Sequence, residues 1–168
     1  MALPGGYVFI TRGMLAGLTS EAQLAGVLAH ETAHVTARHS AAAVSSQMGI
    51  DLALSVAGAK TSGGAMDIAR VGAGLVGLHY SRQQETEADI YGLEYMVKAG
   101  YSPYAMIETI EMLQRQNELR PIEFFSSHPN PANRKADILE HMSANVYPPN
   151  LTTGEADYAT FVLVNLAD

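Results

Sequence analysis

The pentad His30-Glu31-Thr32-Ala33-His34 sits inside a stretch whose pattern predicts a helix, and this placement constrains the chain more than any other feature. Ser20 can cap that helix, and Gln23, three residues on, completes a capping box. Leu24, Val27, Leu28, Ala33 and Val35 suit a mainly buried helix that continues to about Ala43. Two histidines four positions apart share one helical face, so both imidazoles can reach one ion. Glu31 lies between them, able to face a water held by that ion and take its proton. Zinc suits two imidazoles plus an oxygen ligand. Five residues also match by chance in unrelated helices, so the pentad alone leaves ordinary surface or core histidines as the alternative.

Composition narrows the ligand chemistry. The 168-residue chain has no cysteine, which removes disulfides, thiolate ligands, iron–sulfur clusters and cysteine nucleophiles. Apolar residues make up 48% and charged residues 16%, a balance that argues against disorder and for one ordinary domain spanning 1–168. A net charge of −7 leaves no basic footprint for nucleic acid. The start, MALPGGYVFITRG, lacks a signal-peptide pattern, and no window is apolar enough to read as a membrane span.

The remaining pattern is mostly helical, with a little sheet near the start. Tyr7 to Thr11 reads as a strand, followed by a turn from Gly13 to Leu18. Residues 44–57 and 65–78 read as apolar helical pieces around a loop from Lys60 to Gly64. This glycine- and alanine-rich region suits core packing or a partner, with shallow membrane contact as the alternative. A polar helix runs from Ser81 to about Ala99, where Gly100 stops it. Ser102-Pro103 opens another, to about Leu119. Pro121 to Pro131 reads as a loop, Asn130-Pro131 starts a helix through roughly Met142, and Tyr158 to Leu166 closes the chain as a short helix.

A third ligand is offered by Gln84-Glu85-Thr86-Glu87-Ala88-Asp89. Glu85 and Asp89 share a helical face; one carboxylate can complete the ligand set and the other can accept the spare N–H of a ligating histidine. Glu87 lies on the other side and reads as solvated, although spacing alone leaves it as an alternative ligand. Acidic residues early in a helix are also favoured by its dipole without any metal.

Four segments in order, LPGGYVFITRGML, LAHETAHVTARH, SRQQETEADIYGLEYMVKAGY and SHPNPANRKADI, resemble the catalytic domain of the M48 family of zinc metallopeptidases. The resemblance covers most of residues 2–142 and is nearest to the soluble periplasmic members of bacterial envelopes. It implies an α+β fold: a mainly helical, zincin-like domain with a small sheet beside the pentad helix. It implies one Zn2+ per chain on His30, His34 and Glu85, with Asp89 as the companion of these ligands and Glu31 as general base. His128, in a proline-flanked loop, and Arg134 become catalytic candidates that donate to the oxyanion. Without the resemblance, His128 could equally cap or pack, and Arg134 could pair with Asp137 or Glu140.

His128 also has the chemistry to fill the fourth zinc position in a closed resting state. His39 lies about 140° around a continuous helix from His34 and is expected outside the site; His79 and His141 have no supporting constellation. The implied activity is a zinc-dependent endopeptidase acting on unfolded or extended polypeptide, outer-membrane or envelope proteins included, in envelope quality control. Its location would be the periplasm or cell envelope, soluble or peripherally attached, with 44–78 as the contact region. A substrate would add to Tyr7–Thr11 if that strand is an edge. The resemblance further implies residues upstream of Met1. The alternatives are an envelope chaperone or assembly factor with a metal site but weak or autoinhibited proteolysis, and a purely structural zinc.

Overall fold

The computed structural model describes residues 2–3, 7–43, 45–46, 79–119, 122, 124–129 and 133–166. The helices expected over 44–57 and 65–78, their loop, the proposed contact region 44–78 and the Asn130-Pro131 helix start lie outside these residues, apart from helical residues 45–46. Strands β1 (Ala2–Leu3) and β2 (Tyr7–Val8) pair antiparallel, Ala2 opposite Val8 and Leu3 opposite Tyr7. Then follow α1 (Arg12–Gly17), α2 (Glu21–Thr36), α3 (Arg82–Lys98), α4 (Tyr104–Leu119), α5 (Phe124–Ser127), α6 (Arg134–Ser143) and α7 (Glu155–Tyr158). A wide helical turn, Ala159–Leu163, leads to α8 (Val164–Leu166).

The α+β expectation, with a small sheet beside the pentad helix, is corrected: the fold is helical. The strand expected over Tyr7–Thr11 keeps only Tyr7 and Val8, both exposed, because Thr11 caps α1 through the Met14 amide (3.1 Å). Two strands of two residues each form a ladder too short to make a packed layer. The segment expected as a loop at Pro121 to Pro131 contains the helical turn α5.

Local signals set the helices that position the site. Ser20 Oγ accepts from the Gln23 amide (3.1 Å), as capping requires, but Gln23 Oε1 accepts from the Thr19 amide (2.8 Å), one residue upstream of a capping box. The reciprocal box instead forms at α3, between Ser81 and Gln84. Gly100, at φ 87°, follows the end of α3 in the left-handed conformation that glycine adopts freely.

α2 packs along α3 and crosses α4, while α6 lies against α3. Ala22, Ala29, Leu93, Met96, Met106, Ile110, Ile138 and Met142 form the core between them. Alanine on α2 and Gly92 on α3 bring the helices close: a Cβ at Gly92 would lie 3.3 Å from the His30 backbone nitrogen. Leu28 and Val35, expected in the buried face, are partly exposed; Gly26, Val27, Ala29, His30, Ala33 and His34 occupy it.

The chain's last part returns to the start of α2. The amides of Glu21 and Ala22 donate to the carbonyls of Gly154 (3.3 Å) and Thr153 (2.9 Å), satisfying two first-turn donors. Tyr158 is fully buried against Leu18 and Val27, and its hydroxyl donates to the Leu15 carbonyl at 2.7 Å. No helix among the described residues is long and apolar enough to cross a membrane.

Candidate metal centre

α2 carries His30, Glu31 and His34, and α3 carries Glu85 and Asp89 across from them; all are buried. His30 Nε2 and His34 Nε2 lie 3.0 Å apart. Glu85 Oε1 is 3.3 Å from His34 Nε2, and Oε2 is 3.6 Å from His30 Nε2. One ligand atom from each of His30, His34, Glu85 and His128 falls within 4.8 Å of all the others.

The donor chemistry fits a zinc ion. Asp89 Oδ1 is 2.9 Å from His30 Nδ1, so a neutral His30 donates there and turns the Nε2 lone pair inward. Two inward lone pairs and a carboxylate oxygen repel one another unless a cation or a proton lies among them. Ligand atoms about 3.3 Å apart are what a tetrahedral zinc with bonds of about 2.05 Å requires, and the distances here span that value. All the donors are imidazole nitrogen and carboxylate oxygen, the zinc set in a chain without thiols.

Burial and pairing set the charge states. Burial lowers the His34 pKa to about 4, against the opposing pull of the Glu85 hydrogen bond. Burial also lowers that of His30, with the positive charge of Arg134 adding to the effect. For Glu31, burial alone would raise the pKa; the His128 hydrogen bond and neighbouring positive charges outweigh it, to about 2. Glu85 is likewise held well below the usual carboxylate range, burial being outweighed by hydrogen bonds from His128 and His34. Glu85 and Glu31 are therefore ionised and the α2 histidines neutral at physiological pH, the forms that a metal ligand and a general base would need.

His128 and Arg134 come from the far side. α5 ends beside the His30–His34–Glu85 cluster, and its Phe124 ring stacks on the His128 imidazole with centroids 4.5 Å apart. His128 Nδ1 is 3.0 Å from Glu85 Oε1, and Nε2 is 3.3 Å from Glu31 Oε1. Burial disfavours its imidazolium, but these two carboxylates outweigh burial and raise its pKa. Arg134, at the start of α6, forks onto Asp89 through Nε (2.5 Å) and Nη2 (2.7 Å), with Nη1 3.2 Å from Glu85 Oε2. It does not pair with Asp137 or Glu140; its charge is spent on the carboxylates around the histidines. β1 closes the remaining side, where the Ala2 amide donates to Glu31 Oε2 at 2.7 Å.

The geometry brings together every expected site residue: His30, Glu31, His34, Glu85, Asp89, His128 and Arg134. Glu87 faces outward, half exposed, as expected. His39 stays outside the ligand cluster, but it is buried and touches it, with Nδ1 2.9 Å from His34 Nδ1. The continuous helix to Ala43 is broken after Thr36, and Arg38 at φ 57° turns His39 back onto His34. Tyr80 was not anticipated; its ring stacks on His34 (3.8 Å between centroids) and its hydroxyl meets Ser40 Oγ at 2.8 Å. An aromatic two residues before the α3 start is the only sequence signal for it.

Known proteins share this arrangement's sequence. Residues 1–142 match the pattern of Peptidase family M48. The putative beta-barrel assembly-enhancing protease of Vibrio cholerae is 31% identical over 166 residues, 92% of this chain and 34% of its own length. Mitochondrial metalloendopeptidase OMA1 of Schizosaccharomyces pombe is 37% identical over 142 residues, covering 82% of this chain and 42% of that protein. Metalloprotease LoiP of Escherichia coli is 29% identical over 149 residues, 86% of this chain and 58% of LoiP. The chain thus spans well under two thirds of each of these relatives. With the family pattern running through both the helix of His30 and His34 and the helix of Glu85, the chain belongs to Peptidase family M48.

Proposed function

We propose that this chain is the catalytic domain of a zinc-dependent endopeptidase of the cell envelope, acting on unfolded or extended polypeptide. The observation that carries the reading is the convergence of His30, His34 and Glu85 beside an ionised, buried Glu31. In this reading His30, His34 and Glu85 hold one zinc per chain, which supplies Lewis acidity to a water and to the scissile carbonyl. Glu31 takes the water's proton and delivers it to the leaving amine. Asp89 holds the His30 ring by its Nδ1–H, and Arg134 fixes Asp89 and Glu85 in turn.

The oxyanion of the tetrahedral intermediate needs a donor, and His128 is the group within reach, beside Glu31 and Glu85. The same imidazole lies close enough to the ligand atoms to take the fourth position in a closed resting state. Arg134, with its donors directed at carboxylates, supports the site electrostatically rather than by touching substrate. An extended peptide would add beside the short β1–β2 ladder, whose first strand touches the base.

The name of the Vibrio relative points to β-barrel assembly, so envelope proteins are the substrate class we infer and the envelope is the inferred location. The test is metal dependence of proteolysis. Cleavage of unfolded casein should cease when a chelator strips the protein and return on addition of one equivalent of zinc. Proteolysis that survives complete zinc removal would reject the reading.

A further inference from the structure

One buried histidine lies beside the His30–His34–Glu85 cluster without belonging to it. His39 is 4% exposed, stands on neither of the two helices that carry the ligands, and bridges His34 to the protein surface. Its Nδ1 lies 2.9 Å from His34 Nδ1, and its Nε2 lies 3.3 Å from Glu87 Oε2 on the outer side of α3. The bridge exists because Arg38 adopts φ 57°, a left-handed conformation that non-glycine residues rarely take. The turn also brings Ser40 to the Tyr80 hydroxyl, whose ring covers one face of His34.

We propose that Glu87, acting through His39, selects the tautomer of His34 that can bind the metal. This rests on the zinc reading above. A neutral histidine that ligates through Nε2 must carry its proton on Nδ1. Among the described residues the partner of His34 Nδ1 is another ring nitrogen, so it can donate there only if His39 Nδ1 is an acceptor. His39 then carries its proton on Nε2, directed at the Glu87 carboxylate, which can only accept. The opposite chain of donors would put a proton on His34 Nε2 and block coordination. Glu87 excludes that chain by offering no proton. Glu87 and His39 are thus positioning residues: neither reaches the ion, and both set the state of a residue that does.

The inference makes acceptor or donor character at position 87 decide zinc affinity. Because Glu87 is half exposed, substitutions there are tolerated by the fold. Zinc affinity, read by competition with a chromophoric chelator, should fall little in Glu87→Gln, whose amide oxygen still accepts. It should fall about tenfold in Glu87→Met, which offers nothing, and further in Glu87→Lys, a donor that favours the blocking tautomer. Thermal midpoints of the metal-free variants should stay together. His39→Ala should lose about 10–100-fold in zinc affinity; if it fails to fold, the position-87 series stands alone. Side-chain 15N NMR of the wild type should show His39 protonated on Nε2.

Equal zinc affinity across the position-87 series, or His39 protonated on Nδ1, would overturn the relay while wild-type zinc binding leaves the metal centre standing. A wild type that binds no zinc would overturn both.

Discussion

Arg134 pairs with two buried carboxylates at once. Its guanidinium is 4% exposed and faces two carboxylates that are equally buried, Asp89 and Glu85. Removing one partner from such a cluster strands the others' charge in a low-dielectric interior, at a cost of about 3–5 kcal/mol. Arg134→Met should therefore lower the urea-unfolding stability of the metal-free protein by that amount. A loss below about 1 kcal/mol, typical of an exposed pair, would show that solvent reaches the cluster. At this scale the sequence was most readable where chemistry and spacing coincide. His30 with His34, and Glu85 with Asp89, are pairs that a helix places on one face whatever surrounds it. His39 was unreadable because its position depends on one backbone torsion at Arg38, a residue type without left-handed preference. Tyr80 was unreadable because ring stacking on His34 leaves no periodic trace.

At the scale of elements, the site depends on how closely α2 and α3 approach. Gly92 sits where α3 passes the backbone of Ala29 and His30, with Met106 on the other side. A Cβ there would be 2.8 Å from the Met106 methyl, which can rotate away, and 3.3 Å from the His30 nitrogen, which cannot move without moving the helix. Gly92→Val should destabilise by about 1–3 kcal/mol through overpacking. It should also weaken zinc binding, because the separation of Glu85 from the histidines is the separation of the helices. Unchanged zinc affinity with reduced stability would show that the ligands move independently of the helix crossing. The ends of α3 were legible from Ser81 and Gly100, whose effects are local, while α4 begins at Tyr104, just past Ser102-Pro103. The strand at Tyr7 was overestimated because its β-branched and aromatic run continues into Phe9 and Ile10, while Thr11 begins a helix by capping it. Propensity described the residues; the cap decided where the strand stopped.

Across the whole molecule, the family pattern ends at residue 142, yet the chain beyond it supports the site helix. Thr153 and Gly154 receive the first amides of α2, and Tyr158 fills the gap between Leu18 and Val27. The start of the metal helix is thus held from the far end of the sequence, a long-range contact that no local pattern encodes. The net −7 is carried largely outside the centre, where Arg134 offsets part of the charge of Glu85 and Asp89 and His128 lies between Glu31 and Glu85. A purely structural zinc would need a fourth protein ligand to close its coordination shell. A hydrolytic centre needs Glu31 to remain a base beside it.

That difference is read by one comparison: casein cleavage by wild type and by Glu31→Gln, each loaded with zinc and assayed for bound metal. Glu31 is not a ligand in this account, so the variant should hold the same one zinc per chain and lose cleavage by about 100-fold or more. Cleavage at the wild-type rate by zinc-loaded Glu31→Gln would contradict the account.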